Sequence, residues 1–133
     1  MEVIAEMRVS ERCRRVLLVT LPEETLLTAA TRMRRYDVSA LPVYRGQRLV
    51  GIITERDLVT AIADRADLAA TRVADYMTDE PSTTQLEEDV EVAAQRMAEL
   101  GVRHLPVVDG GRLVGVLSMR DLLTPARAPA LRA

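Results

Sequence analysis

The sequence predicts an α/β protein made of two copies of one β-α-β-β-α unit. Three observations predict it. Displacing the chain by 64 residues lays positions 21–60 over 85–124 without a gap, and 19 of those 40 positions are identical. Each copy carries two short strand-like runs around a Gly-centred turn. Each copy also carries apolar residues at helical spacing before the hairpin and a short helix signal after it. A fold search has to begin from such a repeat. Copies of about 60 residues bury too little surface to stand alone. The expected architecture is therefore one domain, 1–133, of two repeats related by a pseudo-twofold axis. Repeat 1 spans 9–63, a linker 64–72, repeat 2 73–124 and a frayed tail 125–133.

The elements follow in order. Val16-Leu17-Leu18-Val19 reads as the first strand. Pro22-Glu23-Glu24-Thr25 opens a helix, with acids where the macrodipole favours them. Leu26, Ala29, Ala30 and Met33 make its apolar stripe. Glu87-Glu88-Asp89 opens the second copy of that helix, and Val90, Ala93, Ala94 and Met97 continue it. Gly101 is a left-handed stop, with Asp37 at the same place in the first copy. Two strands then flank Arg45-Gly46-Gln47, and two more flank Asp109-Gly110-Gly111, where Asp-Gly is a strong hairpin signal. Pro42 and Pro106 place the first strand of each hairpin at an edge or an unpaired face. Arg56-Asp57-Leu58-Val59 and Arg120-Asp121-Leu122-Leu123 begin the closing helices. The linker reads as helical or irregular.

Composition narrows the function. The hydrophobic fraction is 48% and the charged fraction 29%, as in globular proteins rather than disordered ones. There is no Phe or Trp, so Ala, Val, Leu and Met carry the core. A net charge of −2, with few aromatics, gives neither the basic footprint nor the stacking platforms of a nucleic-acid binder. No apolar run approaches a membrane span, and the first residues lack the plan of a signal peptide. One Cys (Cys13) and one His (His104) cannot make a zinc site or an internal disulfide. A reducing, cytoplasmic setting is the expectation, with no metal. An enzyme is not expected either: there is no spare His for a catalytic triad and no phosphate loop.

Two stretches carry chemistry. Gly51-Ile52-Ile53-Thr54-Glu55-Arg56-Asp57 runs off a strand into a helix, and Gly115-Val116-Leu117-Ser118-Met119-Arg120-Asp121 does the same. A helix start offers N–H groups and a positive dipole end to a phosphate. The Thr54 or Ser118 hydroxyl adds a donor. The carboxylate three residues on can accept both hydroxyls of a ribose diol. Ile52 and Val116 offer an apolar slot to a base. Gly51 and Gly115 allow close approach by a base or by another backbone. The same spacing is also the capping box, which serves only the helix itself. Both readings hold if the hydroxyl caps while the Asp turns outward.

The duplicated β-α-β-β-α unit, Val-x-x-Leu-Pro-Val at 38–43 and 102–107, and the Gly-φ-φ-[Thr/Ser]-x-x-Asp endings resemble cystathionine-β-synthase (CBS) domains. Two such repeats form a Bateman module. The resemblance covers about 9–124, and the chain is similar to stand-alone bacterial CBS-pair proteins. It implies a regulatory module that binds an adenosine-containing ligand (AMP, ADP, ATP or S-adenosylmethionine) in clefts between the repeats. No cofactor is implied beyond that regulatory adenine nucleotide. In the family each cleft mixes both repeats. The Asp57 cleft takes Thr54 and Ile52 with Val102, Arg103, His104, Thr78 and Ser82. The Asp121 cleft takes Ser118 and Val116 with Val38, Ser39, Ala40 and the lead-in up to Leu18. Arg103 and His104 bring a cation and a titratable donor toward a phosphate, which ranks the Asp57 site first. Arg12-Cys13 and Leu17-Leu18 stand where Tyr76-Met77 and Pro81-Ser82 stand in the second copy, a departure at the Asp121 cleft. The alternative is a ligand-free structural or protein-interaction module. A homodimer through the helices is expected, with small residues (Ala29, Ala30, Ala93, Ala94) at the contact, and beyond it a regulated protein not yet identified.

Overall fold

Among the described residues, 7–15 and 18–123, the computed structural model runs α1 (Leu26–Tyr36), β1 (Ala40–Arg45), β2 (Arg48–Thr54), α2 (Glu55–Ala63), β3 (Thr78–Asp79), β4 (Thr84–Gln85), α3 (Val90–Leu100), β5 (His104–Asp109), β6 (Arg112–Ser118) and α4 (Met119–Leu123). Single 3₁₀ turns lie at Val9–Glu11 and Val73–Asp75. The chain is mixed α/β with two three-stranded sheets, ordered β1-β2-β3 and β4-β5-β6. Val16, Leu17 and the tail 125–133 lie outside the described residues. Of the strand expected at 16–19, the described Leu18 and Val19 are not in a strand; the next residue, Thr20, makes a parallel bridge to Val43.

The hairpins form as their turn chemistry requires. Gly110 and Gly111 both have positive φ, 60° and 83°, as a type I′ turn demands. Both hairpins carry an irregularity at the same place, between Val43 and Tyr44 and between Val107 and Val108. Pro42 has no N–H to give, and its carbonyl accepts from Thr20 N at 3.0 Å, part of the single bridge on that side of β1 among the described residues. The helix stops are left-handed as read: Asp37 has φ 56° and Gly101 φ 69°.

The helix starts differ from the sequence reading. α1 begins at Leu26, with Thr25 as N-cap accepting from Thr28 N. Pro22–Thr25 is a turn, because Glu24 bends back to accept from Leu21 N at 2.9 Å. α3 begins at Val90, and its N-cap Asp89 pairs with Arg8 at 2.5 Å instead of capping. The first donors of both helices go to carbonyls from outside the helix. Leu26 N donates to Thr71 O and Leu27 N to Leu68 O, while Val90 N donates to Met7 O. So the linker is neither a free helix nor a spacer: it covers the start of α1.

The described residues fall into two compact units, 18–81 in one and 7–15 with 82–123 in the other. These groupings differ from the sequence repeats 9–63 and 73–124. The residues that lead each repeat are used by the opposite unit. Val73 N donates to Glu24 O, and Val9 N to Glu88 O; Ala74 N donates to Pro22 O, and Ser10 N to Leu86 O. Each pair is offset by 64. Residues 71–79 are thus a strap on the unit 18–81, and 7–14 the same strap on the other. Val73 joins Leu26, Met33, Leu41, Val43 and Ile53 in one core, and Val9 joins Leu86, Met97, Leu105, Val107 and Leu117 in the other. Ala29 and Ala93 also lie in these cores, so they are not the dimer contact expected from sequence.

Gly51 and Gly115 are where the straps cross the sheets. A Cβ on Gly51 would lie 2.5 Å from Met77 Sδ and 2.9 Å from Thr78 O. A Cβ on Gly115 would lie 2.1 Å from Arg14 O. The close approach is by a backbone at Gly115, and by the Met77 side chain together with the Thr78 carbonyl at Gly51.

Candidate functional site

Each hairpin ends at a turn into a short helix, and each turn is a cap. Thr54 accepts from Asp57 N at 3.3 Å, and Asp57 Oδ2 accepts from Thr54 N at 2.8 Å and from Thr54 Oγ1 at 3.0 Å. In the other unit Ser118 Oγ accepts from Asp121 N at 3.0 Å, and Asp121 Oδ2 accepts from Ser118 N at 3.3 Å. Both are capping boxes with Asp in place of Glu. Asp57 is half-buried, whereas Asp121 is only 6% exposed.

The helix starts are less open to a phosphate than the sequence implies. Glu55 N donates to Ser39 O at 3.0 Å, and Met119 N donates to Arg103 O at 2.8 Å. With the N3 donor held by the hydroxyl, two of the first three N–H groups of each helix are already satisfied. Sequence could not reveal this, because the acceptors are carbonyls of another segment.

The expected site residues divide between the units. Leu18, Val38, Ser39, Ala40, Ile52, Thr54, Asp57 and Thr78 lie in 18–81. Ala40 is the register partner of Thr54, and Thr78 that of Ile52. Ser82, Val102, Arg103, His104, Val116, Ser118 and Asp121 lie in the other unit, where His104 is the register partner of Ser118. Ser39-Ala40 and Arg103-His104 thus each stand beside the turn of their own repeat. Ile52 is buried, Val116 half-buried, and Thr78, Ser82, Val102 and Arg103 exposed.

His104 is neutral at physiological pH. Burial pushes its pKa from 6.5 down to about 4, with Asp121 opposing and Arg103 and Arg120 assisting. It can offer one N–H donor but no charge, so Arg103 is the cation of the pair. The folded pKa lies below the unfolded one, so the unfolded chain binds the extra proton first as pH falls. The stability that a neutral His104 contributes is complete above pH 6.5 and is lost as pH drops toward 4. Urea unfolding across that range should show a steeper decline for the wild type than for His104→Gln; parallel declines would refute it.

Two ion pairs were not foreseen. Arg32 holds Glu24, whose carboxyl is driven to about 2, and Arg96 holds Glu88, whose carboxyl the guanidinium also lowers. The sequence signal was present: Glu and Arg eight apart, copied at an offset of 64. Local spacing rules do not capture it, because only spacings of three and four mark neighbours on one helix. A third unforeseen contact is Arg12 Nη1, which donates to the Asp121 carbonyl at 3.1 Å.

The family model for the CBS domain matches twice, at residues 2–64 and 73–125. The chain belongs to the CBS-domain family. A protein of Methanopyrus kandleri with no assigned function is 36% identical over 119 residues, which are 86% of this chain and 60% of that protein. The chain therefore spans less than two thirds of that relative. Among solved structures, the CBS-domain protein PAE2072 of Pyrobaculum aerophilum, complexed with AMP, has a TM-score of 0.80 and 33% identity, covering 94% of this chain and 96% of that one. The CBS domain pair of MJ0100, in complex with 5′-methylthioadenosine and S-adenosyl-L-methionine, has a TM-score of 0.78 and 25% identity, covering 88% and 93%. Among the described residues of this CBS pair no helix is long and apolar enough to cross a membrane.

Proposed function

We propose that this CBS pair is a non-enzymatic regulatory module that binds an adenosine-containing ligand, with Asp57 as the first ribose anchor. The observation that carries it is the Thr54–Asp57 turn. Its cap occupies Asp57 Oδ2 and leaves the role of diol acceptor to Oδ1 of a half-buried carboxylate. Asp121, 6% exposed, ranks second. Two structural neighbours hold AMP or S-adenosyl-L-methionine, which supports the ligand class. The capped helix starts leave phosphate recognition mainly to side chains. A ligand acts on such a module only by binding one arrangement better than another. The same reading includes a homodimer and a regulated partner. The homodimer now draws support from Leu27 of α1 and from Val59 and Ile62 of α2, which are roughly half exposed or more.

Thermal unfolding against AMP, ADP, ATP and S-adenosylmethionine tests the reading. A ligand at 100 times its Kd stabilises by about 2.7 kcal/mol, on the order of 10 °C for a chain this size. The shift must grow with concentration. No shift at millimolar ligand would leave the complete capping boxes as the whole role of both turns, and the module as a structural one.

A further inference from the structure

One side-chain arrangement occurs twice, 64 residues apart. Arg32 Nη2 donates to Glu24 Oε2 at 2.8 Å, while Nη1 donates to Glu24 Oε1 and to the carbonyl of Val19 at 3.2 Å. Thr20 Oγ1 donates to the same Glu24 Oε1 at 2.7 Å. In the other unit Arg96 Nη2 donates to Glu88 Oε2 at 2.7 Å, and Nη1 donates to Glu88 Oε1 at 3.1 Å and to the carbonyl of Thr83 at 3.0 Å. Thr84 Oγ1 completes the set by donating to Glu88 Oε1.

Two bonds would suffice to join Arg to Glu. The third, to a lead-in carbonyl, is made in both units and ties helix to backbone. That backbone has little ladder of its own: Thr20 makes one bridge, and β4 is two residues long. The residue next upstream of each tied peptide is Leu18 or Ser82. A guanidinium locked by a carboxylate has a planar fork with N–H groups in fixed directions, so it can hold a carbonyl at a set place.

We propose that Arg32 and Arg96 are positioning residues for ligand binding: they fix the carbonyls of Val19 and Thr83 and so place Leu18 and Ser82. This rests on the nucleotide-binding reading above. The test uses the full chain, AMP titrated by calorimetry, and amide exchange over residues 82–84. Arg96→Lys keeps a charge on Glu88 but loses the fork, and Arg96→Met removes both. Arg96→Lys should melt within a few degrees of wild type, bind AMP about tenfold more weakly and exchange faster at 82–84. Wild-type affinity in Arg96→Lys, or unchanged exchange at 82–84, would overturn the proposal and leave a plain structural ion pair. A flat wild-type titration against AMP, ATP and S-adenosylmethionine would instead remove the nucleotide reading itself, and the positioning role with it.

Discussion

Gly115→Ala should lower the melting temperature by roughly 10 °C, corresponding to about 3 kcal/mol. The added Cβ would sit 2.1 Å from Arg14 O, 3.0 Å from Arg14 C and 3.3 Å from the Arg15 Cα. These are backbone atoms, so no rotamer change relieves the clash. The strap must lift, which breaks the reciprocal bonds Arg14 N to Val116 O (2.9 Å) and Val116 N to Arg14 O (3.0 Å). Lifting it also loosens the turn that buries Val9 completely. Gly51→Ala is the internal comparison. Its nearest atom is Met77 Sδ, the end of a flexible side chain, and Thr78 O is at 2.9 Å. Its loss should be about 1–2 kcal/mol, within the range for mild overpacking. Calorimetry on both variants checks the order. Equal losses would mean that the strap of 7–14 does not rest on β6 as described.

Asp57→Ala should abolish the nucleotide-dependent rise in melting temperature while costing the free chain only about 1 kcal/mol. The small cost is that of a lost helix cap. The large one follows from charge-assisted bonds, about 1.5–3 kcal/mol each, so losing a diol acceptor weakens binding by roughly a hundredfold or more. Asp57→Asn separates the two. It retains an acceptor for Thr54 N and should melt near wild type, but it loses the charge and should show a much reduced shift. An undiminished nucleotide shift in Asp57→Ala would sink the ribose role of this residue.

The hairpins, the helix stops and the Thr54 and Ser118 caps were legible in the sequence because their own side chains encode them. Gly110-Gly111 can adopt a turn with positive φ at both positions, and Asp37 and Gly101 tolerate the left-handed stop. The straps were legible only as a weak echo, Val9 over Val73 and Cys13 over Met77. Met7 and Thr71 occupy equivalent places yet share no chemistry, because each supplies only a carbonyl to a helix start. A main-chain contribution leaves no mark on residue type. The same reason hid the carbonyls of Ser39 and Arg103 that take the first helix donors. The helices start beyond the acids that suggest a first turn, at Leu26 and Val90. Glu24 and Glu88 instead face arginines two turns further on, a partnership that local spacing rules do not cover.

The straps make the two units unequal in connectivity. The unit 18–81 is one unbroken stretch that includes its own strap, 71–79, whereas the other joins 7–15 to 82–123. The second unit therefore closes a far longer loop before Val9 can reach its core, an entropic cost that the first is spared. Sequence copies that match at an offset of 64 thus assemble by routes of different contact order.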